Sequence, residues 1–205
     1  LLVCNSETGI TIMQMDKGLD TGDMLHKVSA PIEANDTAAS LHDKMAELGA
    51  AAINTVLKDL AHYQAQAVAQ DDSQANYAEK LVKTEGEIDW TQSATKIERQ
   101  IRGLTPWPGA YTFLAGQRVK ILASLPVNPS QQTNEPAGTV ISVGRKAILV
   151  ACGKEDETKQ KSNEESASTL AITNLQFAGG KPMTAEQICH GNQLNDGDQF
   201  TTDSK

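Results

Sequence analysis

Five residues within one eight-residue stretch could do chemistry: Asp16, Gly18, Asp20, Gly22 and Asp23. A carboxylate in a glycine-rich loop can accept a proton, or orient and charge a neighbouring base. Glycine lets a ligand approach the backbone closely. Aspartate also hydrogen-bonds its own backbone in turns, and on composition alone solvated turn residues are the simpler reading. A calcium loop would need a regular ligand ladder closed by a glutamate, and the spacing here has neither.

The flanks say what would position this loop. Residues 8–15 alternate, with Ile10, Ile12 and Gln14 to one side and Thr11, Met13 and Met15 to the other, which is strand period. A second strand is expected over 24–32, with Pro31 marking an edge. Asp36 or Thr37 is suited to cap a helix, because its side-chain oxygen can satisfy an orphan N–H. Leu41, Met45 and Leu48, then Ile53, Val56, Leu57 and Leu60, form one apolar stripe, on one helix or on two joined at Gly49. Residues 64–73 are polar and have the composition of a linker.

A further helix is expected after Ser93, with Ile97 and Ile101 inward and Lys96, Arg99 and Arg102 outside. Thr105-Pro106-Trp107-Pro108-Gly109 must end it. Beyond that the period is two, and strands are expected over 110–114, 118–125, 138–143, 147–151 and 169–177. Short, evenly spaced strands suggest a small barrel, for which the OB type is a candidate. Residues 154–168 read as a long charged loop, 184–189 as a short helix and 192–205 as a frayed tail. Trp90 and Trp107 are expected in the core, with Trp107 packing the helix against the strands. The fold class is thus α/β plus β.

The 205 residues suffice for one large domain or two small ones. No run approaches the roughly 20 apolar residues of a membrane span, and no basic segment followed by an apolar one suggests a secretory signal. Cys4, Cys152 and Cys189 are odd in number and far apart, so free thiols in a reducing cytoplasm are expected, with no metal. A net charge of −8 argues against bulk nucleic-acid binding, but a local basic patch could still meet RNA. Opening on Leu1-Leu2-Val3 and passing almost at once into a core-like strand, the chain reads as a piece of something longer.

The segment Gln14-Met15-Asp16-Lys17-Gly18-Leu19-Asp20-Thr21-Gly22-Asp23-Met24-Leu25 resembles a signature of the methionyl-tRNA formyltransferase family. The likeness continues through Tyr77-Ala78-Glu79-Lys80-Leu81-Val82-Lys83, Ile88-Asp89-Trp90, Ile101-Arg102 and Pro106-Trp107-Pro108-Gly109-Ala110-Tyr111, in order and at plausible spacing. The resemblance implies the end of a Rossmann-like formyl-transfer domain over 1–66, a linker over 67–87 and an OB-like barrel over 88–205. It implies formyl transfer from 10-formyltetrahydrofolate, as co-substrate, to the amino group of methionyl-tRNA in translation initiation.

The family's catalytic trio is Asn, His and Asp, and the aspartate matches Asp20. Met15, Asp16, Gly18 and Leu19 are implied to line the pterin, and Lys80, Lys83, Arg99 and Arg102 to meet the tRNA. Lys96, Arg118 and Lys120 add to that basic set, against Glu79, Glu85, Glu87, Asp89 and Glu98, so a solvated mixed-charge face stays open. The family's Asn-x-His-Gly-Ser-Leu-Leu-Pro motif is not in the sequence, and His26, His42, His62 and His190 stand in other contexts. A truncated, cytoplasmic, monomeric chain, inactive by itself, is the resulting expectation. A sugar-nucleotide formyltransferase, a formyltetrahydrofolate hydrolase-like domain and a non-catalytic RNA-binding barrel are the alternatives.

Overall fold

The computed structural model of the chain describes residues 1–125, 128, 132–154, 167–191 and 193–202. It separates into two compact units: Asn5–Lys80, and Leu81–Lys205 together with Leu1–Cys4.

In the first unit, β1 (Glu7–Met13) and β2 (Met24–Pro31) form an antiparallel hairpin. Ile10 stands opposite Val28 and Ile12 opposite His26, and the register shifts between Ile12 and Met13. That bulge lies where the strand enters the loop, and an extra residue there re-aims the chain. The inward residues Thr8, Ile10 and Ile12 alternate with exposed Glu7, Gly9 and Thr11, as the period of two demands. α1 (Ala38–Lys58) lies on the hairpin, and α2 (Leu60–Ala65) follows it. Within these residues the strands are antiparallel, and no parallel ladder occurs.

Thr37 is the cap of α1. Its hydroxyl accepts from Ser40 N at 3.2 Å, and Ser40 Oγ accepts from Thr37 N at 2.9 Å. Asp36, buried just ahead of the cap, accepts from Lys44 Nζ at 2.9 Å, Glu33 N at 2.8 Å and Ser40 Oγ at 2.8 Å. Its hydrogen bond from Lys44 leads these donors in holding the carboxyl down at about 2, against the opposing effect of burial. Gly49 does not divide the helix; the break is at Asp59, which caps α2 by accepting from His62 N. The stripe is only partly covered, with Val56 buried but Leu57 61% exposed.

The second unit is an antiparallel sheet around one core. After α3 (Ala94–Leu104) come β3 (Ala110–Leu114), β4 (Gln117–Ser124), β5 (Gln132–Thr133), β6 (Val140–Val143), β7 (Ile148–Ala151), β8 (Ala167–Phe177), β9 (Met183–Thr184), α4 (Ala185–Gly191) and β10 (Phe200–Thr201). The strand order is β10-β3-β4-β8-β7-β6, with β5 and β9 also paired to β8. Register shifts in β4 at Ile121, Ala123 and Ser124 and in β6 after Val140 curl the sheet. α3 is capped by Ser93, whose Oγ accepts from Lys96 N, and it lays Ile97, Ile101 and Leu104 into the core with Ile88, Val119, Leu170 and Ile172. Each such side chain contributes about 1.5–3 kcal/mol by leaving water.

Two expectations are corrected. The end of the chain is not a frayed tail where it is described. Phe200 is buried and stacks on Trp90 at 5.6 Å, Leu194 is buried, and β10 pairs with β3. Asp196 accepts from Val143 N at 2.8 Å, and Gly197 N donates to Val140 O at 2.8 Å. The polar residues between Leu194 and Phe200 concealed this, because they form turns rather than core. Trp90 is in the core, donating from Nε1 to Thr112 Oγ1 at 2.9 Å, but Trp107 is 51% exposed. Leu104 fills the core position at the end of α3, and the segment after it turns back so that Gly109 N donates to Leu104 O. Residues 155–166 of the expected charged loop lie outside the described residues, as do 192 and 203–205.

Candidate functional site around the Asp20 loop

The loop between β1 and β2 is held in two halves. In the first, Asp16 Oδ1 accepts from Gly18 N at 2.9 Å and from Thr21 Oγ1 at 2.7 Å. Asp16 is therefore a turn-shaping carboxylate. A Cβ on Gly22 would land on the Gln14 carbonyl oxygen, so this backbone path needs glycine there, and one on Gly18 would displace the Thr21 side chain from Asp16. Gln14 N closes the loop onto Asp23 O at 2.9 Å.

In the second half stands Asp20, with φ +57°. A side chain in this left-handed region is uncommon, and aspartate and asparagine tolerate it best. The Asp20 side chain is exposed, and Met15 and Leu19 of the same segment are each 81% exposed.

The segment after α2 is not a free linker. Met24 N donates to Val68 O at 2.8 Å and Val68 N to Met24 O at 3.0 Å, so Val68 adds a strand-like pair to the edge of β2. Gln64 Nε2 donates to Gln14 Oε1 at 2.9 Å. Gln70 Nε2 donates to Asp20 O and to Gly22 O, both at 2.7 Å. Just beyond, Asp71 accepts from Ser73 Oγ at 2.6 Å, Gln74 Nε2 at 2.7 Å and Ser73 N at 3.0 Å, and these donors hold its carboxyl below the usual range. Sequence reasoning missed Gln70 because a polar stretch without periodicity carries no sign of which amide turns back on the loop.

The basic residues differ in their commitments. Lys80 ends the first unit and is exposed. In the second unit, Lys83 opens a 3-10 turn over Lys83–Gly86 and is exposed. That turn is tied down by Gln100 Nε2, which donates to Glu85 O at 2.7 Å and Glu87 O at 3.0 Å. Arg99 Nη1 meets Cys4 Sγ. Arg102 makes a bidentate pair with the buried Glu98, with Nη2 to Oε2 at 3.1 Å and Nε to Oε1. Arg118 lies 3.5 Å over the Tyr111 ring.

All three cysteines are free. His26 packs edge-on against Tyr63. Among the described residues no group of three or more His, Cys, Asp or Glu is placed to hold a metal ion, and no helix is long and apolar enough to cross a membrane.

A family model for the formyl transferase C-terminal domain matches residues 80–193, more than half of the chain. The chain belongs to the formyl transferase family. A second model, described as formyl transferase, matches residues 1–57 and so takes in the Asp20 loop. A protein named methionyl-tRNA formyltransferase from Marinobacter nauticus is 44% identical over 91% of this chain and 55% of its own length. One of the same name from Nitrosomonas eutropha is 42% identical over 98% of this chain and 58% of its own length. The chain thus spans about half the length of the curated relatives it matches.

Among solved structures, HypX from Aquifex aeolicus in complex with tetrahydrofolic acid is similar with a TM-score of 0.59 at 15% identity, over 91% of this chain and 30% of that one. An N-formyltransferase from Helicobacter canadensis, in complex with folinic acid and dTDP-3-aminofucose, gives 0.52 at 19% identity, over 83% of this chain and 57% of that one. Likeness at these identities speaks to the fold of a formyl transferase alone.

Proposed function

We propose that the protein to which these residues belong transfers a formyl group from 10-formyltetrahydrofolate to the amino group of methionyl-tRNA in translation initiation. The observation that carries this reading is the 39–44% identity to proteins named methionyl-tRNA formyltransferase over 91–98% of the chain, a span that includes the Asp20 loop and the barrel-like second unit. The protein works in the cytoplasm as a monomer. Residues 1–66 close a Rossmann-like domain, 67–87 link it, and the curled sheet of 88–205 is an OB-like barrel.

In the reaction the amine attacks the formyl carbon and a tetrahedral oxyanion forms; its collapse breaks the bond from that carbon to N10, so tetrahydrofolate leaves carrying a proton on N10 while the attacking amine gives one up. An asparagine and a protonated histidine stabilise that charge. Asp20 is the third member of the trio. A carboxylate beside the histidine favours its charged form and fixes its orientation. The Asn-x-His motif is not among these 205 residues, so this chain alone is expected to be inactive. Met15 and Leu19 give the pterin its apolar contact, while Gly18 and the Asp16 turn keep the backbone close to it.

Lys80 and Lys83, both exposed, meet tRNA phosphates, and Arg99 adds to them. Arg102 acts mainly through Glu98, by keeping α3 and its basic face in shape. Phosphate contacts of this kind position the RNA without reading its sequence.

The test is formylation of methionyl initiator tRNA by a full-length formyl transferase containing this chain. Asp20→Asn is expected to lower kcat by about 10²–10⁴-fold. Lys80→Ala with Lys83→Ala is expected to weaken tRNA binding and flatten its salt dependence by about 0.7–0.9 in log–log slope per lost contact. Full activity of Asp20→Asn, or preference for an amino sugar nucleotide over tRNA, refutes the reading.

A further inference from the structure

We infer that Gln70 is a positioning residue for Asp20, its side-chain amide acting as a two-pronged clamp on the loop. The inference rests on the role proposed for Asp20 above. Asp16 ties the first half through Gly18 and Thr21, and the Gln14–Asp23 bond closes the base. Neither holds the Asp20 peptide, which sits in an uncommon backbone region with its side chain in solvent. The carbonyls of Asp20 and Gly22 both point to Gln70 Nε2, at 2.7 Å each. Together they fix the Asp20–Thr21 and Gly22–Asp23 peptide planes, and with the first of them the direction in which the Asp20 side chain leaves the backbone.

The chemistry selects the residue type. A primary amide nitrogen carries two hydrogens, one for each carbonyl. An ionised carboxylate of the same shape carries none and would repel both oxygens. Gln70 is itself held: Val68, two residues earlier, makes a reciprocal pair with Met24, and Asp71 directly after it caps the next turn. The clamp therefore reaches back from a seated segment. The same fork recurs at Gln100, which holds two carbonyls of the turn that opens at Lys83.

The experiment compares Gln70→Glu, Asp20→Asn and the double variant in a full-length formyl transferase containing this chain, at pH 7.5, together with amide hydrogen exchange of loop and strand. Gln70→Glu keeps the shape and removes both donors. It is expected to lower kcat about 10- to 100-fold, as displacement of a positioned group does, with KM for methionyl-tRNA within about twofold. The amides of residues 20–23 are expected to exchange faster, while those paired between β1 and β2 keep their protection. In the Asp20→Asn background Gln70→Glu is expected to add little.

A large loss on Asp20→Asn with none on Gln70→Glu overturns the clamp and leaves the role of Asp20 standing. No loss on Asp20→Asn overturns both. An equal loss from Gln70→Glu in the presence and absence of the Asp20 carboxylate shows that the amide acts through the fold, and also overturns the clamp.

Discussion

Phe200, two residues before the last described position but one of the most deeply buried side chains, offers the sharpest test of how the second unit is held. Its ring is 1% exposed and lies 14° from parallel to Trp90. Trp90 in turn donates to Thr112, which donates to Thr201 O, so the stack and β10 brace each other. Removing about 150–200 Å² of ring surface from the core, at about 25 cal/mol/Å², forfeits about 4–5 kcal/mol. Large-to-small core substitutions of this kind lose about 3–5 kcal/mol. Against the 5–15 kcal/mol typical of a whole domain, Phe200→Ala should remove about a quarter of the stability or more. With a urea m-value of about 2 kcal/mol/M, the midpoint should fall by about 1.5–2.5 M. Both tryptophans belong to this unit, so their fluorescence reads its unfolding without contribution from the first. Phe200→Leu, which keeps much of the volume, should lose only about 1 kcal/mol. A Phe200→Ala midpoint within about 0.3 M of the parent, on an unchanged m, would refute the reasoning and return residues 193–202 to the status of a tail.

The other expectations are these. Asp36 titrates near 2 in the folded chain rather than near 3.8, so its contribution is present above the ordinary carboxylate range and disappears as pH falls from about 4 through 2; it is at most about 2 kcal/mol, and Asp36→Asn should flatten the acid limb of α1 unfolding followed by far-ultraviolet circular dichroism. Trp107→Ala should change stability by no more than about 0.5 kcal/mol, as exposed substitutions do, whereas Trp90→Ala should lose about 3–5 kcal/mol. Arg102→Ala strands the buried Glu98 carboxylate and should destabilise the second unit by about 3 kcal/mol, with a partial return on adding Glu98→Gln; an RNA-binding assay on Arg102 variants is to be read only after this stability measurement.

Most of the fold was legible because its signals are local. The hairpin strands, α3, β3, β4, β6, β7 and β8 each carry their own period and their own cap or breaker, and they fall within a few residues of where pattern places them, while the two-residue β5 carries no such signal. What pattern could not supply was long-range closure. Leu194 and Phe200 are two apolar residues in a polar stretch, and only the sheet that β10 joins makes them core. Trp107 fails for the opposite reason. Its type argues for burial, but Leu104 already occupies the inward position at the end of α3, and the chain turns away before Trp107 is reached.

The site divides in the same manner. The carboxylates and glycines of the loop can be found from residue type and spacing, because a tight turn needs glycine where another backbone crosses and aspartate where amides lack partners. Asp16 and Asp20 look alike in that pattern, yet the structure gives them different work: Asp16 Oδ1 is spent on Gly18 and Thr21, while the Asp20 side chain stands in solvent on a left-handed backbone. A carboxylate already committed to two loop donors is a poor candidate to hold a histidine; one that is exposed and directed by its backbone is a good one. That difference separates Asp20 from Asp16, while Asp23 is exposed as well, and the likeness to the family motif is what chooses between those two. It also explains why the residue that directs it, Gln70, was invisible in sequence: its contribution is a pair of hydrogens offered across about fifty residues of chain, and no local pattern records such a pairing.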